Sequence, residues 1–133
     1  MKKILIASTF VLLTGCSTFI DGIMGNYHNY DPIEYNTAVR QVMTARTLEG
    51  QCDRPESYKV SLDHMLHQLR YNQAYLEGRP YNKRTLELNG KLLSIVEDTA
   101  KRDKMSAFFC KERSKNIVKA AEILRSSSGE KRE

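Results

Sequence analysis

The sequence predicts an all-α fold: a small up-down-up-down four-helix bundle preceded by an N-terminal lipoprotein signal peptide and a flexible tether. Three observations carry this expectation. Apolar residues recur at three- and four-residue spacing in four separate segments, the period of a helix with one buried stripe. Short runs containing Pro, Gly, Asn or Asp separate those segments; such residues stop helices, and short connections favour antiparallel neighbours. No stretch alternates apolar and polar residues as a half-buried strand does, and no internal repeat is evident.

The first helix opens at Asp31-Pro32, an N-cap followed by proline at N1, and Glu34 stands three residues after the cap. Tyr35, Ala38, Val39 and Val42 then share a face, and the segment ends near Gly50. Pro55-Glu56 opens the second helix, in which Leu62, Met65, Leu66 and Leu69 stack before Gly78-Arg79-Pro80 stops it. The third begins near Asn82 and places Leu88, Leu92, Ile95, Val96 and Thr99 on one side. Asp103 is the expected cap of the fourth, which runs through Ile117, Ala121 and Leu124. The helical domain is therefore expected over residues 32–125, and residues 126–133 read as a solvated polar tail.

Ahead of the domain the chemistry differs. Lys2 and Lys3 form a basic head, residues 4–13 an apolar run, and Thr14-Gly15-Cys16 a small-residue end, the layout of a secretory signal peptide. The run falls short of the ~20 apolar residues that a permanent membrane helix needs. Leu13-Thr14-Gly15-Cys16 resembles the bacterial lipobox, which implies cleavage after residue 15 and acylation of Cys16. Several acyl chains on one residue anchor stably, since each buried CH₂ contributes about 0.8 kcal/mol. Ser17 stands where inner-membrane lipoproteins often carry Asp, which implies sorting to the periplasmic face of the outer membrane. Residues 16–31 read as the lipidated terminus and tether, with Phe19, Ile20, Ile23 and Met24 free to rest on bilayer or domain. Fully extended, such a tether spans at most roughly 50 Å.

The formal charge is +5, and Lys2 and Lys3 account for part of it. The remaining excess is too small to indicate a nucleic-acid binder. Besides Cys16 the chain holds only Cys52 and Cys110. Cys52 falls in the first connection and Cys110 about two turns into the fourth helix. An up-down-up-down topology puts the first and third connections at the same end, so the two thiols approach one another, and an exported chain should pair them.

Catalytic chemistry is sparse. Asp63, His64 and His67 share a helical stretch, but a zinc site needs further ligands, and the reading is of amphipathic side chains on a partly wet face. There is no Gly-rich phosphate loop, and nothing stands near the hydroxyls of Ser126, Ser127 and Ser128 to activate them. The expectation is a non-enzyme with no metal and no cofactor other than covalent lipid on Cys16. Lys101, Arg102, Lys104, Lys111, Arg113, Lys115 and Lys119 gather around the fourth helix as a solvated face suited to acidic headgroups or an acidic partner.

Helices one, three and four carry more apolar residues than one core stripe requires. Val39, Val42, Met43, Leu92, Leu93, Met105, Phe108 and Phe109 are accordingly expected to line a groove that receives an amphipathic helix of a partner.

The combination of lipobox, tether, four helices and a bridge from the first connection to the fourth helix resembles the PulS/OutS-type pilotin lipoproteins of type II secretion. The local match includes Ala45-Arg46-Thr47-Leu48 followed by Gly50-Gln51-Cys52-Asp53-Arg54-Pro55, with Cys110 supplied later. The resemblance implies binding of the C-terminal segment of a secretin subunit, which folds as a helix in the pilotin's groove. It also implies transfer by the lipoprotein-sorting machinery to outer-membrane lipid, where the secretin channel assembles. The alternative is another small helical envelope lipoprotein, an exclusion factor or assembly accessory.

Overall fold

The computed structural model describes residues 30–80 and 82–129. The expected signal peptide, Cys16, Ser17 and most of the tether lie outside them. Among the described residues there are four helices and no strands: α1 (Pro32–Glu49), α2 (Pro55–Glu77), α3 (Lys83–Ala100) and α4 (Ala107–Gly129). Their neighbours in space form a ring, α1 on α2, α2 on α3, α3 on α4 and α4 on α1. The backbones of the diagonal pairs α1/α3 and α2/α4 do not approach closely; the diagonals meet only through side chains, as where Tyr58 of α2 reaches Ser114 of α4. Pairs such as Arg46 with Glu122 and Tyr35 with Gly129 show α1 and α4 running antiparallel.

Residues with a helical period turn one stripe of each helix inward. Ala38, Val42, Ala45 and Leu48 from α1 meet Tyr58, Leu62, Met65, Leu66 and Leu69 from α2. Leu92 and Val96 of α3 and Cys110, Ile117, Ala121 and Leu124 of α4 complete the core. Leu88 and Ile95, expected on the same side of α3, are half-buried at its edge. Polar side chains also enter the interior. Asn72 Nδ2 donates to Asn89 Oδ1 at 2.8 Å, and Asn89 Nδ2 donates to the Leu69 carbonyl at 3.2 Å and to Gln73 Oε1 at 2.8 Å. Glu34, Gln41, Thr85, Ser127 and Ser128 are buried as well.

Both ends of the bundle are closed by contacts distant in sequence. At one end Cys52 and Cys110 form a disulfide with their Cα atoms 5.7 Å apart. At the other, Asp31 caps α1: its Oδ1 accepts from the Ile33 amide at 2.9 Å, and its Oδ2 accepts from the Tyr75 hydroxyl at 2.6 Å. Arg79 forms an ion pair with the same carboxylate and lies over the Tyr75 ring. The start of α1 is thereby fastened to the end of α2.

Two boundaries differ from expectation at α4. Asp103 is exposed in the connection and does not cap it. The helix starts at Ala107, where Ser106 Oγ accepts from the Phe109 amide at 3.1 Å, so Cys110 lies in the first turn rather than two turns in. The expected polar tail does not begin at residue 126, because α4 continues to Gly129 with Ser127 and Ser128 buried. The cause is tertiary. α4 runs beside the first turns of α1, and only small residues fit there: a Cβ at Gly129 would stand 2.9 Å from Cε2 of Tyr35. The Ser128 hydroxyl bonds the Leu124 carbonyl at 3.0 Å, so its burial needs no outside partner.

Two outcomes follow for stability. The bridged cysteines are 58 residues apart, so Cys110→Ser should cost about 4 kcal/mol in the chain-entropy treatment, read from denaturant midpoints with and without reductant. Asp31→Ala removes an N-cap and the acceptor of Tyr75, and a loss of about 2 kcal/mol is expected in the same assay.

Candidate functional site

The eight residues expected to form one groove do not come together. Val42 (2% exposed) and Leu92 (0%) are core residues, a correction to their assignment as partner contacts. Val39 and Leu93 are half-buried on α1 and α3, the diagonal pair that α4 and α2 separate. A groove shared by α1, α3 and α4 is therefore not formed: α4 occupies the position between the other two. Met43 is exposed on α1, Met105 lines a cavity at the disulfide end, Phe108 is exposed, and Phe109 is half-buried beneath Arg102.

Two concavities bear on the candidate site. The first is an open trough between α1 and α2, about 390 Å³, lined by Met43, Thr44 and Thr47 on one side and Val60, Ser61 and His64 on the other. Met43 is 66% and Val60 71% exposed. The two threonines are less polar than their residue type suggests. Thr44 Oγ1 donates to the Arg40 carbonyl at 3.0 Å and Thr47 Oγ1 to that of Met43 at 3.0 Å. Each hydroxyl is bound to its own helix, leaving the γ-methyl for apolar contact. Val60 belongs to the site but not to the sequence expectation. Its signal was an apolar side chain lying off the Leu62/Met65/Leu69 stripe.

The second concavity, about 240 Å³, lies at the disulfide end between the start of α2 and the α3–α4 connection. Cys52, Cys110, Leu62 and Met105 give it an apolar wall, with Tyr58, Thr99 and Arg102 around it. Exposed Glu56, Lys59, Arg102 and Asp103 stand around its mouth, whereas its buried hydroxyls are taken up by neighbouring side chains. The Tyr58 hydroxyl and Ser114 Oγ are 3.3 Å apart, and Arg113 Nε donates to Thr99 Oγ1 at 3.0 Å while its Nη2 bonds Asp98. Burial pushes the Tyr58 phenol above its usual range, opposed by the Ser114 hydrogen bond and by the charge of Arg113.

The histidine cluster is divided. His64 Nε2 is 2.9 Å from the Gln68 side-chain amide, and His67 faces Asp63 at 3.7 Å. Among the described residues no group of three or more His, Cys, Asp or Glu side chains is placed to hold a metal ion. Tyr75, farther along α2, turns to Asp31.

Comparison of the chain with family models, with curated proteins and with solved structures returns no match.

The Tyr58 environment has a pH signature. A phenol with a raised folded-state value holds its proton more tightly folded than unfolded. Its contribution is complete below a pH of about 10 and is lost as pH rises through the folded value. Tyr58→Phe should flatten that alkaline fall in the unfolding midpoint, while costing about 1 kcal/mol at neutral pH through the lost Ser114 bond.

Proposed function

We propose that this chain is a lipid-anchored, non-catalytic adaptor of the pilotin type. It binds the C-terminal segment of a secretin subunit and, through lipid on Cys16, directs that cargo by way of the lipoprotein-sorting machinery to the periplasmic face of the outer membrane. The observation that most supports this reading is the open α1–α2 trough, where Met43 and Val60 stand exposed on facing helices with Thr44 and Thr47 beside them. An amphipathic helix lays its apolar side into such a trough, and burial of that side offsets the ordering of a disordered segment. The site thus moves from the α1/α3/α4 face to the α1/α2 face, with Met43 common to both. The anchor is supported by the lipobox-like Leu13-Thr14-Gly15-Cys16, which lies outside the described residues.

The test is a titration of the purified chain with labelled C-terminal secretin peptides, following anisotropy and helical circular dichroism. Binding with a gain of helix is expected. Met43→Asp and Val60→Asp should each weaken it about tenfold or more while shifting stability by no more than about 0.5 kcal/mol. Val42→Asp and Leu92→Asp should unfold the bundle instead. Failure of every secretin peptide to bind would transfer the chain to the exclusion-factor or assembly-accessory class of small envelope lipoproteins.

A further inference from the structure

Phe108 is the most exposed large apolar side chain among the described residues, at 77%, and exposed cations surround it in the sequence. It lies in the first turn of α4. Lys101, Arg102 and Lys104 are exposed in the connection before it, and Lys111 follows three residues later, on a neighbouring position of the same helix surface. Among the described residues Lys101, Lys104 and Lys111 enter no ion pair. Farther along α4 the pattern changes, with Arg113 paired to Asp98 and Lys115 to Glu112. Arg102 stacks over Phe109, its guanidinium carbon 4.6 Å from the ring centroid, which holds that charge at the surface. Asp103 is the single acid of the connection.

We propose that this end of the bundle is a membrane-surface contact, with Phe108 entering the boundary between headgroups and acyl chains and Lys101, Arg102, Lys104 and Lys111 lying on anionic headgroups. An apolar ring among basic side chains gains twice at such a surface, from burial and from attraction to anionic lipid. A lipid surface suits these groups better than a protein does. The lysines are long, exposed and held by no fixed partner, which matches a diffuse anionic plane rather than a stereospecific site. The patch sits at the end of the bundle opposite the entry of the tether into α1. A helix of 18 residues is about 27 Å long, and the tether reaches at most roughly 50 Å, so anchor and patch can engage one bilayer together. The proposal rests on the anchored reading above, which holds the chain beside a membrane, and adds an orientation to it: disulfide end down, α1–α2 trough on the side.

The chain contains no tryptophan, so Phe108→Trp places a single fluorophore at the patch. The full acylated chain is bound to phosphatidylethanolamine vesicles with and without phosphatidylglycerol, with acyl chains brominated as quencher. With phosphatidylglycerol present, F108W emission should shift to shorter wavelength and be quenched. A fluorophore introduced by Tyr71→Trp, exposed on α2, should stay unquenched. Charge reversal at Lys101, Lys104 and Lys111 should abolish the F108W quenching, each lysine lost weakening surface association about fivefold at low salt. Unquenched, long-wavelength F108W emission from vesicle-bound chain would overturn the proposal. So would a spectral shift that appears only on adding secretin peptide, which would assign the patch to a protein. The peptide titration at Met43 and Val60 is independent of these variants, so failure of the membrane contact and failure of the adaptor reading are told apart.

Discussion

The covalent link between Cys52 and Cys110 is the constraint from which the rest of the arrangement follows. It ties the connection after α1 to the first turn of α4, so the helix that is last in sequence must start beside the point where the first one ends. With short connections at residues 50–54, 78–82 and 101–106, the ring α1–α2–α3–α4 then closes with α4 lying antiparallel along α1. The opposite end is held by non-covalent means. Asp31 gathers the Ile33 amide proton, the Tyr75 hydroxyl and the Arg79 guanidinium on one nearly buried carboxylate. A chain fastened at both ends in this way leaves its helices little freedom to slide.

Between those ends the interior mixes apolar and polar side chains. Near the disulfide Leu48, Tyr58, Leu62, Val96 and Ile117 pack with the buried Thr99 and Ser114. Toward Asp31 Leu69, Leu76 and Leu124 pack with Asn72, Thr85, Asn89, Ser127 and Ser128. Apolar packing tolerates small slips; hydrogen-bonded amides do not. A one-turn slip of α3 along α2 would take Asn89 away from Asn72, Gln73 and the Leu69 carbonyl together, leaving buried polar groups unmatched. The Asn72–Asn89 network therefore fixes the register of α3 on α2, while apolar side chains supply most of the burial.

The same geometry decides which surfaces are open. In a ring of four, grooves form between neighbours, and α1 and α3 are not neighbours. Met43 on α1 thus acquires Val60 on α2 as its facing partner. The excess apolar residues around the start of α4 divide between the end cavity, which Met105 of the connection lines, and the outer surface, where Phe108 stands among lysines. The α1–α2 trough and the basic apolar tip at the α3–α4 connection are consequently on different pairs of helices.

Sequence alone determined the number of helices, their starts at Pro32, Pro55 and near Asn82, and the core stripes Leu62–Leu69 and Leu92–Val96, because helical periodicity and Pro, Gly and Asx punctuation are local signals. Only tertiary structure decided the length of α4, whose Ser127 and Ser128 are buried because α1 lies beside them, and the capping of that helix by Ser106 rather than Asp103. It likewise decided that Val42 and Leu92 are interior and that Val60 borders a trough. A helical wheel ranks the faces of one helix. Which face meets water depends on the neighbour placed against it, and that follows from connections and cross-links spanning the whole chain.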